Sequence, residues 1–257
     1  MTATANCARE RVLGVALPVL TGVLVLAGWQ AATRVLAIPA VLLPAPADVA
    51  AAFAQTAGSL GRDALATGSE SLWAFLLSAV TGAAVALVLA ASAPLSEACR
   101  PHLVIFQIIP KIALAPLFVL WLGYDWPQRL TYAVFISFFP VALATATGLQ
   151  RADANALRLA RALTASRLQT LFRVRAPYAL PYFCAGVKIA ATMSVIGIVV
   201  GEFISSERGL GHAILAAQSR SETAQMFAAL AVLCVTGLVP YGIAMAAERL
   251  ARAWWRG

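Results

Sequence analysis

Negative charge is scarce in this chain. Its 257 residues hold 11 Asp and Glu against 19 Lys and Arg, and only Lys111 and Lys188 are lysines. Charged residues of both signs make up 12% of the sequence, where a soluble globular domain carries roughly 25%. That shortage excludes an ordinary soluble fold, and with it a soluble nucleic-acid-binding domain, although the net charge is +8. Cysteine is sparse too: Cys7, Cys99, Cys184 and Cys234 form no CxxC pair and have no histidine at metal-ligand spacing. Neither a zinc site nor a disulfide framework follows from them. The two histidines, His102 and His212, lie far apart. There is no GxxxxGK[ST] phosphate loop, no HExxH helix and no carboxylate pair, so neither P-loop ATP binding nor a metal or acid–base enzyme site is indicated on this chain.

What the sequence has instead is apolar length. Hydrophobic residues account for 61% of it and the mean hydropathy is +0.82. A helix crossing about 30 Å of hydrocarbon needs about 20 mostly apolar residues. Six stretches qualify, near residues 12–33, 69–92, 102–122, 130–149, 184–204 and 227–247. They predict an all-α polytopic membrane protein with six transmembrane helices, because the runs are too continuous for alternating barrel strands. The first run follows Arg9 and Arg11 and exceeds the apolar core of a signal peptide, so it reads as a retained span.

Cation placement orients the spans. One set of ends carries Arg9, Arg11, Arg100, the run Arg151 to Lys188, and then Arg249, Arg252 and Arg256. The other set carries only Arg34, Arg62, Arg129, Arg208 and Arg220. The positive-inside rule places the first set, and both termini, in the cytoplasm. The chain then divides into an N-terminal span with an exterior connector (1–68), a five-span core (69–250) with a cytoplasmic loop at 151–183, and a cytoplasmic tail (251–257). Trp29, Trp121, Trp126, Trp254 and Trp255 fall near the expected membrane interfaces, where their rings anchor spans. In the first exterior connector Pro39, Pro44 and Pro46 forbid an opening helix, and Asp48 is expected to cap a short helix through Leu60. The second, residues 205–226, opens with glycines and continues as a short amphipathic stretch.

The loop "ANALRLARALTASRLQTLFRVRAPYALPYFCAGVK" packs five arginines into the eighteen positions from Arg158 to Arg175. Asp153 is placed to cap a helix carrying Leu157, Ala160, Arg161 and Thr164 at i, i+3, i+4 and i+7. Ser166 is placed to cap a second helix bearing Leu168, Leu171 and Phe172, with a turn at Leu163–Ala165 between the two. Pro177 and Pro181 are expected to end it and redirect the chain. Two readings stay open on residue types alone: a rigid knob that transmits position to a cytoplasmic partner, or an interfacial element with arginines on lipid headgroups.

Two ionisable residues sit within spans. Lys111 lies about ten residues into the third, about 15 Å along a helix, between Pro110 and Pro116, which are expected to kink it. A cation at that depth is a candidate for a solute pathway and suits an anionic solute; otherwise it pairs with a carbonyl or with Glu202. Glu202 lies near the outer end of the fifth span, as an interfacial, gate or structural group. From residue types alone, an ion-coupled secondary transporter remains a rival to any partner-driven machine.

The loop resembles the conserved cytoplasmic loop of the permease subunits of bacterial ABC importers, whose pattern is E-A-A-x3-G-x9-I-x-L-P. Here the aligned positions read Arg158-Leu159-Ala160, then Thr164, then Val174-Arg175-Ala176-Pro177. Ala160, Val174 and Pro177 fit, whereas Arg158, Leu159 and Thr164 replace the acid, the first alanine and the glycine. The stretches "LPAPADV", "IPKIALAPLFVLWLGY", "PYALPYFCAGVKIAAT" and "GEFISSERGLGHAI" are similar to the nitrate/sulfonate/taurine branch, which includes importers of thiamine-pyrimidine precursors. The resemblance implies a type I importer permease of the bacterial inner membrane that moves a small anionic or heterocyclic solute. It also implies a second permease copy, a cytoplasmic ATPase dimer carrying ATP and Mg, and an exterior substrate-binding protein, with no cofactor on this chain. The ATPase would receive Arg158, Leu159, Ala160, Leu163, Thr164, Val174 and Pro177; the candidates to line the pathway, taken from residue chemistry and not from the resemblance, are Pro110, Lys111, Pro116 and Glu202. At Thr164, where the pattern has glycine, the turn is expected to use ordinary backbone angles.

Overall fold

The computed structural model describes residues 2–255. The side chains of residues 1–15, 91, 93, 100, 103, 104, 107 and 253–257 lie outside the described part. The expectations placed on Cys7, Arg9, Arg11, Arg100, Trp254, Trp255 and Arg256 fall there. The described residues are helical, without strands. The helices are α1 (Thr2–Val35), α2 (Pro46–Ala91), α3 (Ala93–Ile108), α4 (Ala115–Leu122), α5 (Trp126–Gln150), α6 (Ala154–Ala162), α7 (Arg167–Thr170), α8 (Ala176–Ser205), α9 (Leu210–Ser219) and α10 (Thr223–Trp255). A 3₁₀ turn (Lys111–Leu114) precedes α4, and a π turn (Leu171–Arg175) joins α7 to α8.

Among the described residues, five helical segments are long and apolar enough to cross a membrane, matching five of the six expected spans. The third expected span is broken. The chain leaves the helix after Ile108, Pro110 is extended at φ −68°, ψ 91°, and a new helix starts with Pro116 in its first turn. Pro110 offers no N–H to the preceding turn and holds Ile109 out of the α region. Pro116 therefore opens a helix instead of kinking one. The exterior connector also differs from expectation. No short helix ends at Leu60; α2 runs unbroken for 46 residues, about 69 Å at 1.5 Å per residue. Between Leu60 and the span lie only two isolated glycines, each costing about 1 kcal/mol in a helix, and no proline. Asp48 is the third helical residue, not the cap, and its Oδ2 accepts from the backbone N–H of Ala45 at 3.2 Å, half of a capping box.

The chain forms two compact units. In the smaller one (Met1–Leu60 with Ile214–Ala231), Gln30 Oε1 accepts from Ala47 N–H at 3.1 Å, Thr223 Oγ1 donates to Val41 O at 2.7 Å, and Trp29 meets Phe227. In the larger one (Gly61–Ala213 with Val232–Gly257), α5 and α8 pack backbone to backbone. A Cβ on Gly197 would sit 2.6 Å from Ala133 Cα, and one on Gly186 would sit 2.9 Å from Pro140 O. Small residues allow that approach, and in lipid close packing is a main source of helix association. Around the seam, Phe75 of α2, Val141 of α5, Val187, Ala190 and Ala191 of α8 and Ala244 of α10 form a dry core. The hydroxyls of Ser78 and Ser137 bond across α2 and α5 inside it.

Candidate functional site

The elbow at 151–183 is built from its caps inward. Asp153 Oδ2 accepts from Ala156 N–H at 3.0 Å, fixing the start of α6. Ser166 and Gln169 form a reciprocal capping box that starts α7. Both caps are where the sequence pattern put them. Between them α6 closes with two bonds, Ala165 N–H to Ala160 O at 2.9 Å and Thr164 N–H to Arg161 O at 3.0 Å. That is a Schellman motif, which needs a left-handed residue at its turn. Thr164 supplies it with φ +53°, so the expectation of ordinary angles there is overturned. A β-branched side chain in this region costs about 1–2 kcal/mol. The same two-bond closure, on Ala37 (φ +49°) and Ser221 (φ +58°), ends α1 and α9.

The two prolines do not end the helix. Pro177 lies in the first turn of α8 and Pro181 inside it. The π turn lies directly before Pro177: Ala176 N–H reaches back five residues to Leu171 O, and the wider turn gives that ring room without ending the helix, while Pro181 sits one turn further on inside α8. The elbow is therefore a capped helix and a second helix rigidly continuous with a span.

The faces of α6 are sorted. Ala160 is buried, Leu157 half-buried, and Arg158, Leu159, Leu163 and Thr164 are exposed. Leu159 and Leu163, one turn apart, project outward at 61% and 70% exposure. Val174 and Pro177 are half-buried where the π turn joins α8. On the opposite side of α6, Leu157 and Arg161 line an open groove.

Of the residues assigned to a pathway, Pro110, Lys111 and Pro116 lie at the break before α4, and Glu202 lies in the last turn of α8. Lys111 lies at the break before α4, half-buried, with Nζ 5.1 Å from the centre of the Phe139 ring. It makes no ion pair, to Glu202 or to any other described carboxylate. Its carbonyl accepts from Tyr132 Oη at 3.4 Å. Glu202 is 2% exposed, with both oxygens engaged in holding the turn from α8 into α9. Oε1 accepts from Thr67 Oγ1 and Oε2 from Gly211 N–H, each at 2.7 Å, while Thr67 Oγ1 accepts from Leu210 N–H at 2.8 Å. At Gly209, φ is +103° and a Cβ would stand 2.2 Å from Glu202 Oε1; only glycine fits.

Glu202 belongs to a larger polar lock that the sequence pattern did not single out. Arg129, 6% exposed, donates to Glu70 Oε1 at 2.8 Å, to Glu70 Oε2 at 3.0 Å and to Ser205 O at 3.1 Å. Ser205 Oγ donates to Gln128 Oε1, and Asp63 Oδ1 accepts from Gly209 N–H. One signal was available: Asp63, Thr67 and Glu70 recur at i, i+4 and i+7, a polar stripe entering an apolar helix. At the other end of the bundle, Glu248 of α10 is paired with both Lys188 of α8 and Arg252.

A family described as binding-protein-dependent transport system inner membrane component matches residues 74–252. The riboflavin transport system permease protein RibX of Chloroflexus aurantiacus is 36% identical, over 93% of this chain and 89% of that one. The formylaminopyrimidine transport permease protein ThiX of Halalkalibacterium halodurans is 29% identical, over 92% and 95%. In fold, the chain is similar to a chain of an amino acid ABC transporter crystallised with histidines. The TM-score is 0.62 at 16% identity, covering 77% of this chain and 96% of that one.

Proposed function

The chain belongs to the family of binding-protein-dependent transport system inner membrane components, and from that premise we propose how its parts divide the work. It is a multi-pass permease subunit of an ABC importer in the inner membrane. Two copies form the pathway, both termini face the cytoplasm, and an exterior binding protein delivers the solute. A separate cytoplasmic ATPase pair carries ATP and Mg and grips the elbow. The observation that carries this reading is the outward pair Leu159 and Leu163 on a helix fixed by a side-chain cap at one end and a Schellman closure at the other.

A handle must move as one piece with the span it drives, and the unbroken helix from Arg167 to Ser205 meets that need. Arg158 and Thr164 flank the leucine pair on the exposed side. Ala160, Val174 and Pro177 serve beneath it, holding α6 against the root of α8. The solute is a small anionic or heterocyclic molecule. Support for it comes from Lys111, a cation without a carboxylate partner at the helix break between Pro110 and Pro116, and from relatives described as carrying riboflavin and formylaminopyrimidine. Glu202 acts beside the pathway, by fixing α9.

The test is reconstitution. Vesicles holding this chain with its ATPase and binding protein take up solute when ATP is supplied on the ATPase side; omitting either partner abolishes uptake. Uptake by this chain alone, driven by an ion gradient, contradicts the proposal.

A further inference from the structure

We propose that the groove behind α6 is a binding site for an anionic phospholipid of the adjoining leaflet. It is an open groove of about 1580 Å³, walled by α6, α7 and the π turn on one side and by α3 on the other. Its floor is formed by the last residues of two apolar helices, Leu89 and Ala90 of α2 and Leu149 of α5, with Leu171 of the π turn beside them. Gln150, at the end of α5, donates to Ser96 Oγ at 3.3 Å and ties that floor to α3.

Three guanidiniums line the groove, Arg161, Arg167 and Arg175, and none makes a hydrogen bond or an ion pair within the described residues. The one acid among the lining residues, Glu97, pairs with none of them. The occupant must therefore bring negative charge for the rim and hydrocarbon for the floor. Every floor residue lies within a turn of the end of a membrane-crossing helix, the depth at which phosphate gives way to acyl chain. Arginine forks suit phosphate oxygens, and a basic pocket at the end of a helical bundle is suited to an anionic headgroup. A phospholipid meets both demands without leaving the bilayer.

The faces of α6 keep this site apart from the handle. Leu157 and Arg161 point into the groove, whereas Leu159 and Leu163 lie about half a turn away on the outside. Lipid in the groove and a partner on the leucines can be held together, with the lipid filling the space beneath the handle. The proposal rests on the membrane setting and not on which protein grips the leucines.

The test uses the full chain in complex with its ATPase, offered equimolar palmitoyl-oleoyl phosphatidylglycerol and phosphatidylcholine and weighed by native mass spectrometry. Each arginine near an anionic headgroup is worth about fivefold, so the wild type retains phosphatidylglycerol at least about tenfold over phosphatidylcholine. The triple change R161Q/R167Q/R175Q removes that preference. R151Q/R173Q, which takes two charges from the same elbow but off the groove, leaves it in place. Equal retention of the two lipids by the wild type overturns the proposal, as does equal loss in both variants. A photo-crosslinker at Leu168, on the groove wall, gives a second reading in the otherwise native chain. Capture of phosphatidylglycerol supports the site; capture of the ATPase or of a second permease copy there overturns it. A crosslinker at Leu163 reports separately on the handle, so either idea can fail alone.

Discussion

Replacing Thr164 by glycine should slow the opening of the elbow. Thr164 holds φ +53° to close α6, at a cost of about 1–2 kcal/mol for a residue with a Cβ. Glycine removes that cost but enters from a freer unfolded chain, which returns about 0.5–1 kcal/mol. The balance favours glycine by about 0.5–1 kcal/mol. At tenfold per 1.4 kcal/mol, local opening becomes about two- to fivefold rarer. The amides to watch are Thr164 and Ala165, which donate to Arg161 O and Ala160 O. Hydrogen exchange followed by mass spectrometry, on the full chain in lipid nanodiscs, reads them directly. The Thr164 hydroxyl makes no hydrogen bond, so Thr164→Val is the control and should exchange within about twofold of the wild type, a difference of under 0.5 kcal/mol as for an exposed site. Exchange in Thr164→Gly at the wild-type rate or faster refutes the strained Schellman closure and, with it, the rigid handle.

Three further substitutions probe other parts. Glu70→Gln leaves Arg129 buried without its carboxylate, and breaking a buried pair this way costs about 3–5 kcal/mol. At about 2–4 °C per kcal/mol for a chain of this size, melting should fall by about 6–20 °C, while Glu70→Leu with Arg129→Met recovers most of it; an unshifted single variant removes the lock. Lys111→Met should slow uptake of an anionic solute at unchanged expression, and equal rates in the two proteins take Lys111 out of the pathway. Leu163→Asp puts a charge on the apolar contact face, so ATP hydrolysis should continue while uptake falls at least about tenfold; unchanged uptake counts against the handle.

Much of the elbow is legible from residue chemistry. Asp153 and Ser166 cap the helices their positions announce, because capping depends on a few neighbouring residues. The turn at Thr164 is not legible in this way. Threonine disfavours a left-handed angle locally, and only the two backbone bonds gained at the end of α6 override that preference. Pro177 and Pro181 read as a stop because a proline in isolation breaks a helix; the π turn directly before Pro177 carries no residue signature. Likewise, the length of α2 was hidden by Gly61 and Gly68, which weaken a helix without ending it. The five continuous spans follow from apolar length alone. The broken third was half visible in Pro110 and Pro116, which showed a disturbance but not that Ile109 would leave the helix. The polar lock around Arg129 joins residues from four helices. Only its stripe on α2, Asp63, Thr67 and Glu70, had a periodicity to notice.

The role of the elbow turns on what touches Leu163 during transport. A photo-crosslinker at that position, in the full transporter turning over ATP, should capture the ATPase subunit with a yield that changes between ATP-bound and nucleotide-free states. Capture of lipid alone, at a yield blind to nucleotide, contradicts the account.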